Sequence, residues 1–269
     1  LLHQWSQDQH NDPDSIFALA RYFDLTQRND LYVYFTSLTG GMGVIETIKS
    51  RFDEVMDPMK SDSILDVPQP PLGSDPSVYP DFTQKFMAQL EKITTQDQAH
   101  HILCGNNHGL SKAAFAKEKE IYEASSSMDD YLKGLHQRKV QELQDHCDQN
   151  KVWFEQKITQ EAVDFVASNQ ELLSAVHKDG ILYLTKIPYD PSNYLKETDP
   201  LKRRYLACHC PFVREAILKG EPIVSSSWCS CSAGFEKFHF ESILDRPLEV
   251  QVLQSVLKGD PICRFAIKL

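Results

Sequence analysis

No apolar run in the chain reaches the roughly 18 residues that a membrane-spanning helix needs, so no membrane partner is expected. Positive charge is also short: 28 Lys and Arg stand against 38 Asp and Glu, a formal charge of -10. Nucleic acids are held by clustered Lys and Arg that displace counterions. The densest basic run, Lys202-Arg203-Arg204, does not reverse the acidic balance, and no nucleic acid is expected. The first twenty residues carry HQWSQDQHNDPD where a secretory signal would need an apolar core. A reducing, cytoplasmic setting is therefore expected, and the odd count of seven cysteines agrees, because secreted disulfide frameworks use even sets. The chain opens on Leu1 rather than Met, as expected of a fragment or a trimmed product. Gly-x-Ser-x-Gly and His-Glu-x-x-His are absent, which removes the common serine-hydrolase and metalloprotease signatures.

What is present is a globular composition, 41% hydrophobic and 25% charged over 269 residues, enough for one large or two ordinary domains. Asp12-Pro13-Asp14 before an apolar stretch reads as a capped helix with proline in its first turn. Val44, Ile45, Ile48, Phe52, Val55 and Met56 recur at helical spacing after Gly43. Leu31 to Phe35 fits a buried strand or a helix equally well. Residues 57–80 hold six of the fourteen prolines, the best boundary in the chain. From Asp81 to Cys147 several helices are expected, with Phe82, Phe86, Met87, Leu90, Tyr131, Leu135 and Leu143 turned inward.

After Asn150 the pattern becomes mixed. Val176 to Leu184 reads as a hairpin closed at Asp179-Gly180, and Leu248–Leu257 with Ile262–Leu269 as a terminal antiparallel hairpin that directs Cys263 into the core. The fold class is therefore α+β. A helical N-terminal and middle region precedes a mixed α/β C-terminal domain, with divisions at 1–78, 79–150 and 151–269.

Five of the seven cysteines lie in the last 62 residues, as Cys208-His209-Cys210, Cys229-Ser230-Cys231 and Cys263. In an extended segment, residues i and i+2 project to one side, so each C-x-C pair presents two thiolates in one direction. Zinc accepts four thiolates without redox chemistry and is the favoured ion. A buried or redox-active thiol cluster is the alternative. With five thiols for four positions, one is free to react.

The stretches Trp228-Cys229-Ser230-Cys231-Ser232-Ala233-Gly234-Phe235, Leu244-Asp245-Arg246-Pro247-Leu248-Glu249-Val250 and Lys258-Gly259-Asp260-Pro261-Ile262-Cys263-Arg264-Phe265 resemble the tail of the 4-vinyl reductase domain family. The resemblance is best over 205–269. It implies a sheet-and-helix domain that encloses a small ligand and carries a cysteine-ligated zinc, with Cys263 as the family's terminal cysteine. In related bacterial activators a Glu and a Cys on the penultimate strand help hold zinc. Those positions fall near Val252 and Ser255, so Glu249 or the surplus cysteines are the expected replacements. The chain is also similar to uncharacterised bacterial proteins with a Cys-Gly motif in a helical front half, and to the L-2-amino-thiazoline-4-carboxylic acid hydrolase group. Here that motif is Ile102-Leu103-Cys104-Gly105-Asn106-Asn107-His108.

Cys104 and His108 would share one face if the helix continued through them; a helix ending at Gly105, with Cys104 buried and His108 exposed, is the plainer reading. Of the adjacent His100 and His101, only one can join a site. His209 would face away from its flanking thiols in a strand, and in a loop it could ligate or act as a base. His239 reads as a helix-surface residue. Thr39-Gly40-Gly41-Met42-Gly43 lacks the dinucleotide fingerprint and the P-loop lysine, so a plain turn is expected. The expected function is small-molecule binding, sensory or carrier, by a domain with a zinc-thiolate site. A hydrolase of a small heterocyclic or amide-like substrate is the alternative, with Cys104, His108 and His209 as candidate catalytic residues, and a thiol redox switch is the third.

Overall fold

The computed structural model describes residues 12–56, 65–220 and 223–269. Helix α1 (Pro13–Leu25) starts as expected, with the Asp12 carboxylate accepting from Ser15 N at 2.9 Å. LYVYF lies in a helix, α2 (Asn29–Ser37), which packs on α1 through stacked Phe23 and Phe35 rings 5.5 Å apart. Residues 39–43 form the expected turn, and Gly43 adopts φ 77°, a left-handed conformation that favours glycine, just before α3 (Val44–Val55). Part of the proline-rich stretch, 57–64, lies outside the described residues. Beyond it, Leu65 and Val67 are 1% and 6% exposed and join the same core as α3, each burial contributing about 2 kcal/mol.

The middle of the chain is helical, with α4 (Tyr79–Ile93), α5 (Gln96–Leu103), α6 (Ala116–Ala124) and α7 (Met128–Asp148). Thr95 and Gln98 form a capping box at the start of α5. At its other end Arg51 donates to the His101 and Ile102 carbonyls at 2.7 and 3.0 Å, pairing groups that a helix end leaves open.

The C-terminal region contains a two-residue hairpin, β1 (Val152–Trp153) with β2 (Gln156–Lys157), then α8 (Gln160–Ala167), β3 (Val176–Lys178) and β4 (Ile181–Thr185). Short helices α9 (Pro191–Tyr194), α10 (Pro200–Ala207) and α11 (Arg214–Leu218) follow. The long α12 (Ser230–Leu244), β5 (Glu249–Gln254) and β6 (Arg264–Lys268) complete it. The β3–β4 hairpin turns at Asp179 and Gly180, both at positive φ, as the Asp-Gly signal predicts.

The expected terminal hairpin forms, and its last strand takes the centre of the sheet: the order is β3-β4-β6-β5, antiparallel throughout. Leu182, Ile267 and Val250 align across three strands, as do Leu184, Phe265 and Val252. This apolar face packs against Tyr131, Leu132 and Leu135 of α7 and Ala233, Phe240 and Ile243 of α12. A second core joins α3, α4 and α5 to Phe212, Val213, Trp228 and the cysteines. Val252 and Cys263 touch both cores. Among the described residues no helix is long and apolar enough to cross a membrane.

His239 departs from the expected surface position. It is half-buried, stacked between Phe115 and Phe240, with its Nε2 2.7 Å from the Tyr131 hydroxyl. The period of α12 left this open because nearly every face of that helix is covered. Burial, with smaller contributions from Lys139 and Arg138, lowers its pKa to about 4 against the pull of Glu118. The unfolded chain therefore protonates His239 first, so its contribution to stability is complete above about pH 6.5 and is lost as pH falls toward 4. The expected loss is about 2 kcal/mol by pH 4.5. Thermal melts of wild type and His239→Gln at both pH values check this, since the variant's melting temperature should fall less.

Candidate thiol site

Five segments meet around one buried, sulfur-lined centre: the link from α10 to α11, the start of α12, the residue before β6, the loop after α5, and Lys186 just past β4. All seven cysteines are free thiols.

Cys208 has extended backbone, φ -80° and ψ 120°, so the first C-x-C pair behaves as expected. Cys208 and Cys210 face the centre, near enough to Cys229 and Cys263 to interact electrostatically. Each of these four sulfurs meets a donor. Cys208 is approached by the N–H of Cys210, Cys210 by those of Phe212 and Val213, and Cys263 by that of Val256. Trp228 Nε1 also donates to Cys210 Sγ at 3.2 Å, and Ser255 Oγ donates to Cys229 Sγ at 2.9 Å. Such bonds favour the anionic sulfur. Burial nevertheless pushes all four thiols up.

The second pair does not follow the extended expectation. Cys229 ends a 3-10 turn and Cys231 lies in the first turn of α12, and helical residues two apart point roughly 200° away from each other. Cys229 therefore turns to Ser255, whereas Cys231 turns to the loop after α5, where His108 Nε2 lies 3.9 Å from its Sγ. Burial, then the nearby Cys210, raises the Cys231 pKa to about 12 against the Asn107 amide and Lys186, so Cys231 also borders the other sulfurs.

Cys104 and His108 reach this place without the shared helical face. Helix α5 stops at Leu103, Cys104 is its buried cap, and His108 is exposed in the loop beyond, with its ring edge-on to Phe235 at 5.1 Å. Surrounding protein, then the Lys186 charge, lowers the His108 pKa to about 4. Of the adjacent pair, His100 turns inward, with Nδ1 3.0 Å from Ser230 Oγ and Nε2 2.9 Å from the Val250 carbonyl, while His101 is exposed. Glu249, a proposed replacement ligand, is on the surface beside Lys268.

His209 faces away from its flanking thiols, as alternation predicts. Its Nε2 donates to the Ile187 carbonyl at 2.6 Å, and burial, then Lys186, lowers its pKa to about 3. With that nitrogen occupied, His209 contributes neither a ligand nor a base through Nε2. It borders a cleft of about 600 Å³ between the residues 37–46 turn and the segment 209–215. In the cleft wall the Arg214 guanidinium lies 4.1 Å over the Tyr189 ring and 4.3 Å over Tyr205. Each phenol donates to a carboxylate, Tyr189 to Glu155 at 2.9 Å and Tyr205 to Glu215 at 2.8 Å.

Lys186 was not singled out from the sequence, although Leu182, Leu184 and Lys186 share one parity and hence one face of an extended run. Burial opposes its charge, but Glu236 at 3.0 Å, Cys263 and Cys210 raise its pKa, so it remains an ammonium beside the sulfurs. Trp228 and Asn107 were also not singled out as site residues, and Ser255 was named only as standing where related activators have a zinc-holding cysteine. Trp228 had one sequence signal, its place directly before Cys229.

Among the described residues no group of three or more His, Cys, Asp or Glu side chains is gathered tightly enough to hold a metal ion as it stands. Five sulfurs, those of Cys208, Cys210, Cys229, Cys231 and Cys263, interact electrostatically here, with N–H or O–H donors and the Lys186 cation nearby, and thiol sulfur is the donor type that thiophilic ions take.

Residues 157–269 match a family described as "Family of unknown function (DUF6144)". No curated protein and no solved structure matches the chain.

Proposed function

We propose that the C-terminal domain binds a small molecule in the 209–215 cleft and carries a thiolate metal site, for zinc, formed by Cys208, Cys210, Cys229 and Cys263. The observation that carries this reading is the two-sided segment 208–214. Cys208 and Cys210 lie on the sulfur side, while His209, Pro211, Phe212 and Arg214 line the cleft. Bound zinc would supply a fixed, doubly charged anchor for the four sulfurs. The residues themselves would do the rest: N–H and O–H donors stabilise the thiolates, Lys186 offsets their charge, and the fixed segment holds Arg214 between its two tyrosines. The resemblance of the tail to zinc-carrying ligand-binding domains supports the same reading.

Metal analysis of the full chain purified without added metal, with thiol titration before and after denaturation, tests it. About one zinc per chain is expected, with Cys208, Cys210, Cys229 and Cys263 protected until the chain unfolds. Chelation should lower stability by about 2.7 kcal/mol when free zinc had stood 100-fold above its dissociation constant. Cys210→Ser should lose the metal. Recovery of metal-free protein whose seven thiols all react in the native state would remove the proposal.

A further inference from the structure

Arg214 and Glu215 are adjacent in the chain, carry opposite charge and both line the cleft beside the 37–46 turn. Tyr205 touches both. The guanidinium lies 4.3 Å over its ring, and its hydroxyl donates to Glu215 Oε1 at 2.8 Å. Tyr189 repeats the arrangement with Glu155, the guanidinium 4.1 Å over its ring and its hydroxyl 2.9 Å from Glu155 Oε2. Arg28, Arg138 and Arg264 each pair with a carboxylate. Among the described residues Arg214 has no such partner within 4 Å, although a carboxylate stands at the hydroxyl end of each of its two rings. Its Nε donates to the Tyr205 carbonyl at 3.3 Å and its fork meets the Tyr189 hydroxyl, so others of its five N–H groups are left for a ligand. Glu215 Oε2 likewise has no partner among the described residues.

With Glu46, three carboxylates and one guanidinium line the cleft. A plain anion would meet three like charges there, and a plain cation would leave the guanidinium unmatched. Leu38, Met42, Leu72 and Tyr79 line the same space, and Met42 is 47% exposed, apolar surface that a hydrophobic ligand group would cover. We propose that the cleft binds an α-amino acid with a large apolar side chain, its carboxylate on the Arg214 fork and its ammonium on Glu215. A guanidinium fork and a carboxylate meet through two parallel hydrogen bonds. The ammonium donates to Glu215 Oε2, while Oε1 stays with the Tyr205 hydroxyl. The two charges of the ligand, a few bonds apart, thus match two charges held by one tyrosine.

This inference rests on the cleft reading above and names its ligand class. The full chain as purified is titrated calorimetrically with L-phenylalanine, 3-phenylpropionate and phenethylamine, which share one apolar body and carry both charges, the negative one or the positive one. Amide hydrogen exchange locates each bound probe. L-Phenylalanine is expected to bind about 10-fold tighter than either analogue, with exchange slowed over 205–215. In Glu215→Gln, which keeps an acceptor for Tyr205, its advantage over 3-phenylpropionate should disappear. A single-charge probe that protects 205–215 and binds within about 3-fold of L-phenylalanine overturns the amino-acid assignment and leaves the cleft reading standing. Protection of 205–215 by none of the three removes both. An advantage over 3-phenylpropionate that persists in Glu215→Gln also overturns the assignment, because the ammonium then lies elsewhere. If circular dichroism shows that variant unfolded, the three probes on the unaltered chain decide.

Discussion

Replacing Trp228 by alanine is expected to destabilise the protein by about 4 kcal/mol, the usual cost of removing a buried tryptophan. Trp228 is 1% exposed, edge-on to Phe86 at 6.1 Å and to Phe212 at 5.3 Å. It is thus the joint between α4 and the cleft-lining segment. Its Nε1 bond to Cys210 separates two consequences of the change. Trp228→Phe keeps an aromatic body, so it should recover much of the stability, but it leaves Cys210 without that donor. A metal affinity lowered about 10-fold is expected for Trp228→Phe, in the range seen for groups that support a ligand. Chemical denaturation gives the first quantity and competition with a chromogenic chelator the second. If the phenylalanine variant binds metal as tightly as wild type, the indole N–H has no part in the site.

Gly234→Ala is expected to cost about 3 kcal/mol, the upper end for overpacking, and to lower the melting temperature by roughly 8 °C. A β-carbon at Gly234 would lie 2.4 Å from the Cys104 carbonyl carbon and from Gly105 O, and 2.5 Å from Cys104 O. These are backbone atoms, which cannot swing aside as a side-chain tip does. Relief requires moving the loop after α5 away from α12, which draws His108 and Asn107 from Cys231. Mid-helix glycine to alanine ordinarily stabilises by up to about 1 kcal/mol, so the sign of the change in a thermal melt is decisive. A melting temperature equal to or above that of wild type would show that the two segments do not pack this closely.

The elements were legible where a local cause sets them: Asp12 and Pro13 at a helix start, Asp179-Gly180 at a hairpin, alternation in Phe265 and Ile267. LYVYF was ambiguous because five apolar residues fit either period, and its helical state comes from packing on α1. The structure brings the C-terminal cysteines near one another, but their spacing misjudged one geometry. Cys229 and Cys231 follow three serines that read as a loop, yet the chain there is already helical, so i and i+2 diverge instead of agreeing. Lys186, Ser255 and Asn107 come from distant segments, and only the tertiary fold brings them to the sulfurs. Gly234 is the missed residue with a visible mark, a helix-weakening glycine inside a helix.

The central place of β6 has a kinetic consequence. Arg264 pairs with Thr185 on one side and with Gln254 on the other, so Lys186, Ser255 and Cys263 all emerge at the same end of the sheet. None can reach its place until a pairing that spans about eighty residues has closed, and such long-range closure is slow. A β6 displaced by one residue would turn Cys263 to the opposite face. The sulfur centre therefore reports on strand registration: thiol protection should appear with the last folding phase, and nascent or mispaired chains should leave these cysteines open to reagents.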